Sequence, residues 1–152
     1  MPSTTDEHLT GGGLTAAISN AVVRITAEYT GRGPTKARTS WRDDLVVVLL
    51  QDTMTKGERS LQSAGDSELV LTTRGRYQHA MREDLITAIE DLTSRTVLAF
   101  MSANHMDPDM GAEIFVLAPA APGGDDALPA SAKSDRKAHE AYDRTYSSPT
   151  HR

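Results

Sequence analysis

The chain has no cysteine, so disulfides, thiolate zinc sites, iron–sulfur clusters and a cysteine nucleophile are all excluded. Aromatic residues make up only 5%, with a single tryptophan, so few platforms exist for stacking a base. No apolar run is longer than Leu45–Leu50, whereas a transmembrane helix needs about 20 such residues. Positive charge is not in excess: 16 Lys and Arg against 21 Asp and Glu give a net charge of -5, which disfavours a general nucleic-acid binder. The signatures of phosphate-binding loops, dinucleotide folds and serine-hydrolase elbows are missing too. Gly11-Gly12-Gly13 precedes a helix pattern without a strand before it or a lysine after it, and is taken as a linker.

What remains is an ordinary soluble composition, 38% hydrophobic and 24% charged over 152 residues, enough for one domain. Residues 1–13 lack both a basic start and an apolar stretch, which predicts a flexible arm and no signal peptide. Residues 119–152 carry few large apolar side chains, which predicts a disordered tail, with a transient helix capped by Ser134 and reaching Tyr142. Residues 14–118 hold nearly all the large apolar side chains and form the expected domain.

Within it, Leu14, Ile18, Val22, Ile25 and Tyr29 fall on one helical stripe, which Gly31, Gly33 and Pro34 stop. Lys36–Trp41 alternates as a half-exposed strand, and Leu45–Leu50 is an apolar run typical of a strand covered on both faces. Asp52 or Thr53 is the expected cap of a short helix, Met54–Ser63. Asp66 or Ser67 caps a longer one to about Ser94, with Val70, Tyr77, Met81, Leu85, Ile89 and Leu92 as its stripe. Gly75 in that helix predicts a kink or a close approach. Thr96–Ser102 and Ala112–Leu117 are the last strands, with a loop over Asn104–Gly111. The expected fold is α+β, in the order α-β-β-α-α-β-β, a four-stranded and mostly antiparallel sheet with helices on one face. Three strands are apolar on both sides, so the uncovered face predicts a homodimer.

The stretch Met54-Thr55-Lys56-Gly57-Glu58-Arg59, followed by Leu61, opens a set of ordered motifs. It continues through Ile89–Val97 and Phe100–Asp109 and closes on Glu113-Ile114-Phe115-Val116-Leu117. Taken together over Ala16–Leu117 the set resembles the MpsC-like family, named after a sodium-translocating, membrane-potential-generating system. Ser94 departs from it, standing at the helix exit where glycine is expected. The resemblance implies a link to ion transport or membrane energetics, a location in the cytoplasm or peripheral to the inner membrane face, and a protein partner at a transport system. It carries over no catalytic residue.

Two constellations are candidate sites. Asn104, His105, Asp107 and Asp109 place an imidazole and two carboxylates within five residues, a donor set suited to a small ligand, a partner or a divalent ion. Turn chemistry is the plainer reading of Asp107-Pro108-Asp109. Lys36 and Arg38 on the first strand, with Arg74, Arg76 and Arg82 on the long helix, form a basic set suited to phosphate, acidic lipid or an acidic partner, or simply a solvated face. Glu83, Asp84, Glu90 and Asp91 share one helical side and read as hydrated surface. No catalytic residue, resident metal or cofactor is expected. The leading expectation is a non-enzymatic, dimeric accessory or protein-interaction domain; the alternative is a small-molecule or metal sensor built on the Asn104–Asp109 loop.

Overall fold

The computed structural model describes residues 11–120. The predicted tail beyond Ala120, with its Ser134-capped helix, and most of the predicted N-terminal arm lie outside the described residues. The elements are α1 (Gly12–Thr30), β1 (Lys36–Arg42), β2 (Leu45–Gln51), α2 (Lys56–Ser63), α3 (Ser67–Thr93), β3 (Val97–His105) and β4 (Met110–Leu117). The order is the predicted one, and all pairings are antiparallel in a sheet ordered β1-β2-β4-β3.

α1 ends where Gly31 takes a left-handed φ of 76° and its N–H returns to the Ala27 carbonyl. Its predicted stripe is buried at Ile18, Val22 and Ile25, while Tyr29 sits at the surface and donates from its hydroxyl to Asp84 at 2.7 Å. These residues meet Met81, Leu85 and Ile89 of α3 and the inner sheet positions Val46, Val48, Leu50, Phe115 and Leu117 in one core. Phe100 completes it at the β3 edge, its ring 5.0 Å from that of Phe115. Period-two alternation decides which side chains enter: Val46, Val48 and Leu50 are buried, whereas Leu45 is exposed and Val47 and Leu49 are half-buried.

Several predicted boundaries move, beginning with α1, which takes in Gly12 and Gly13 that were expected as linker. α2 begins two residues late because Thr55, not Asp52 or Thr53, is its cap: Thr55 Oγ1 accepts from the Glu58 N–H and the Glu58 carboxylate accepts from the Thr55 N–H, a reciprocal capping box. Thr53 is drawn elsewhere, donating to Asp109 at 2.8 Å. The β3–β4 ladder also runs further than predicted, through Asn104↔Gly111 and His105↔Met110, so the connection shrinks to Met106–Asp109.

α3 continues through Gly75, and nothing closes on it: a Cβ there would meet no atom within 4 Å. Gly75→Ala should therefore stabilise the domain by about 1 kcal/mol through helix propensity alone, read by urea unfolding. At the end of α3, Ser94 stands at φ 54°, ψ 30°, the left-handed conformation that explains why glycine suits this exit. Ser94→Gly should add about 1 kcal/mol, seen as a thermal midpoint several degrees higher.

Candidate functional site

The buried stripe of α3 is not wholly apolar. Val70, Arg74, Gln78, Met81, Leu85 and Ile89 point inward, so a cation and an amide take two turns of it, and Tyr77 is left at the surface. On β4 the inner positions are Gly111, Glu113, Phe115 and Leu117, which places a carboxylate only 2% exposed beside the core. Burying these groups is tolerated only if they are paired.

They are paired in two connected layers. In the deeper one Gln78 and Asn104 exchange amide hydrogen bonds, Nδ2 of Asn104 donating at 2.7 Å and Nε2 of Gln78 at 3.3 Å. The same Gln78 nitrogen donates to Glu113 Oε1 at 3.2 Å, and the Ser102 hydroxyl donates to Oε2. Ser102 is the direct cross-strand neighbour of Glu113, so sheet register fixes that contact. Burial pushes the Glu113 carboxyl up to about 7; the Ser102 and Gln78 hydrogen bonds and the charge on Arg74 pull it back.

The outer layer is ionic. Arg74, 7% exposed, donates from Nη1 to Asp109 at 3.4 Å and holds Nε 3.9 Å from Glu58. Both separations are long for a guanidinium on a carboxylate, about 2.7–2.9 Å when tight. Asp109 also accepts from Thr53 and from the Met54 N–H at 2.7 Å, and lies 3.8 Å from Arg59. Arg59 and Arg32 both bind Asp52. Between the layers lies a cavity of about 40 Å³, lined among others by Thr26, Leu50, Arg74, Gln78, Asn104 and Glu113. Thr26 Oγ1 is buried there with no hydrogen-bond partner among the described residues.

The predicted loop is divided by this arrangement. Asn104 and Asp109 turn inward into the two layers, while His105 and Asp107 stay exposed at the hairpin tip, the His105 Nδ1 lying 2.8 Å from the Pro108 carbonyl oxygen. Among the described residues no three His, Asp or Glu side chains gather where they would hold a metal ion. The predicted basic set is also dispersed. Lys36 and Arg38 are exposed on β1 and Arg76 on α3; Arg82 lies over the Phe100 ring at 5.6 Å; Arg74 is the buried ion pair already described. Glu113, Gln78, Ser102 and Glu58 are the site residues that sequence patterning passed over. Their signal was polar residues at inward positions: 113 in the 111-113-115-117 alternation, and 74 and 78 in the 70-74-78-81-85-89 helical series.

The other face of the sheet is bare of helices. Leu45, Val47 and Leu49 of β2, Ala112, Ile114 and Val116 of β4, and Met101 of β3 lie on it, with Leu98 beside the bulge between Val97 and Ala99. Leu45, Leu98 and Met101 are 42%, 53% and 49% exposed, a large apolar surface for a monomer. Lys36, Arg38 and Arg42 line its β1 edge. Among the described residues no helix is long and apolar enough to cross a membrane.

No curated protein and no solved structure matches the chain. The model of one protein family, described as Na+-translocating membrane potential-generating system (MpsC), matches residues 10–119, from just before α1 to just past β4. That span covers every helix and strand of the fold, so the chain belongs to the MpsC family.

Proposed function

We propose that this chain is a non-enzymatic, homodimeric accessory domain, working through protein contacts beside a membrane-potential-generating system on the cytoplasmic side of the membrane. The open apolar face of the sheet carries this reading. An uncovered face with Leu45, Leu98 and Met101 between about two-fifths and half exposed gains free energy by excluding water against a second copy, at about 25 cal/mol for each Å² of apolar surface buried. Charge favours one mode of pairing. A two-fold axis running along the strands lays the basic β1 edge over the uncharged outward side of β3 in the second copy. An axis across the strands would stack Lys36, Arg38 and Arg42 on themselves. The family description, a Na+-translocating membrane potential-generating system, supports setting that work beside such a system.

Light scattering at micromolar concentration tests it. The expected particle has twice the 16.4 kDa chain mass, and the double variant Met101→Glu, Ile114→Glu, which sets two charges on that face, should run as a monomer that keeps its circular dichroism. A parent chain that stays at 16.4 kDa refutes the dimer.

A second reading, a sensor of a small molecule or divalent ion, is favoured by one observation: Asn104 of the predicted loop opens on the cavity beside Glu113. Calorimetry with divalent cations and small anions on the parent chain and on His105→Ala separates the two readings; absence of heat in the parent chain removes this one.

A further inference from the structure

We propose that Glu113 is a proton-binding site that operates Arg74 as a two-position latch: protonated, it leaves the guanidinium on Asp109 and Glu58; ionised, it draws the guanidinium inward and loosens α2 and the β3–β4 loop. This stands apart from the dimer reading and survives its failure.

The reasoning begins with a charge count. Arg32, Arg59 and Arg74 face Asp52, Glu58 and Asp109 in one connected network, three cations against three carboxylates. That network is balanced without Glu113, which makes no ion pair among the described residues and is 2% exposed. A buried carboxylate outside a balanced set has two ways to meet its desolvation cost: take a proton, or take a cation from its neighbours. The cavity of about 40 Å³ beside Glu113 has room for a few waters, at about 10–15 Å³ each, through which a proton can reach the carboxyl.

Among the described residues that line the cavity with Glu113, Arg74 is the one cation, and its charge already acts on the Glu113 carboxyl. On α3 the groups facing Glu113 are Arg74, Gln78 and the Tyr77 phenol; on α2, Glu58; on β3, the uncharged Ser102 and Asn104; on α1, the Thr26 hydroxyl; on β2, apolar Leu50 and the paired Val48. The long contacts of Arg74 to Asp109 and Glu58 are what a guanidinium held between competing carboxylates would show. The consequence is specific, because Asp109 and Glu58 are structural hubs. Asp109 accepts the Met54 N–H ahead of α2, and Glu58 closes the α2 capping box. Moving the guanidinium toward Glu113 weakens its hold on both.

Carbon-detected NMR of side-chain carboxyls, run with the amide spectrum of the full chain from pH 4 to pH 9, tests the latch. One glutamate should titrate near neutrality, and the Met54 amide and the Arg74 Nε resonance should shift with the same midpoint. In Glu113→Gln both shifts should vanish. Ser102→Ala, which removes a hydrogen bond favouring the ionised form, should move the midpoint to higher pH. Titration of Glu113 in the ordinary glutamate range overturns the proton site. Titration near neutrality with Met54 and Arg74 unmoved overturns the latch. If Glu113→Gln fails to fold, the parent-chain titration alone still decides both.

Discussion

Between pH 4 and pH 8, the unfolding free energy of Glu113→Gln should gain about 3 kcal/mol on that of the parent chain. The carboxyl stands at about 7 in the folded chain against 4.5 when unperturbed, a displacement upward caused first by burial. Between those values the folded chain holds a proton that the unfolded chain has released. The stabilising contribution of that proton is therefore complete below pH 4.5, lost as pH rises through about 7, and absent above it. Glutamine has the shape of the protonated acid, accepts from Gln78 through its oxygen, offers its N–H to the Ser102 oxygen where the acid would offer its O–H, and does not titrate, so the variant escapes the loss. At 1.36 kcal/mol for each tenfold change in proton affinity, the displacement is worth about 3 kcal/mol. Urea unfolding of both proteins at matched pH values reads it directly; parallel pH profiles would refute it. The direction is unusual for a carboxylate, since an ion-paired acid loses stability toward low pH instead.

Arg74→Met should destabilise the fold by about 3 kcal/mol, the lower part of the range for removing one partner of a buried pair. Methionine fills much the same volume in the α3 stripe but leaves Glu58 and Asp109, whose side chains are 10% and 12% exposed, short of a cation. The loss stops short of the full range because Asp109 keeps Thr53, the Met54 N–H and Arg59. Arg76→Met on the same helix, at an exposed position, should change stability by less than about 0.5 kcal/mol. Equal losses from the two substitutions, measured by urea unfolding, would mean that the buried pair contributes nothing of its own.

The contrast between those two arginines also measures how far the sequence could be read. Element order and the two hairpins were legible because α1 and α3 carry helical periodicity, β2 is an unbroken apolar run, and Gly31, Gly65 and Ser94 punctuate the elements; the central β2–β4 pairing was not, since both strands are apolar enough to pair with either neighbour. The open face was legible as well, since Val47, Leu49, Ile114 and Met101 are apolar at positions the helices do not reach. The polar site was not. Sequence patterning sorts residues by apolar character, and it set Arg74 with Arg76 and Arg82 on a solvated helix face, although 74 sits four residues after Val70 on the buried series. Asp109 read as turn former because its partners Thr53, Met54 and Arg74 are 35 to 56 positions away in the chain. Glu113 lies on a strand whose other inward residues are Gly111, Phe115 and Leu117, so apolar patterning gave it no role. The capping box of α2 misled in a milder way: Asp52, Thr53 and Thr55 are all competent caps, but Asp52 is taken by Arg32 and Arg59 and Thr53 by Asp109, which leaves Thr55 to Glu58.

The placement of β4 between β2 and β3 has a bearing on biosynthesis. Leu45 cannot meet its neighbour Val116 until nearly the whole domain has left the ribosome, at about 5–20 residues per second. For those seconds the nascent chain carries an unpaired strand edge and a greasy ribbon from Leu45 to Leu50. Such an edge recruits other polypeptides. Prompt arrival of β4 closes that edge, and a chain ending before Met110 would keep it open.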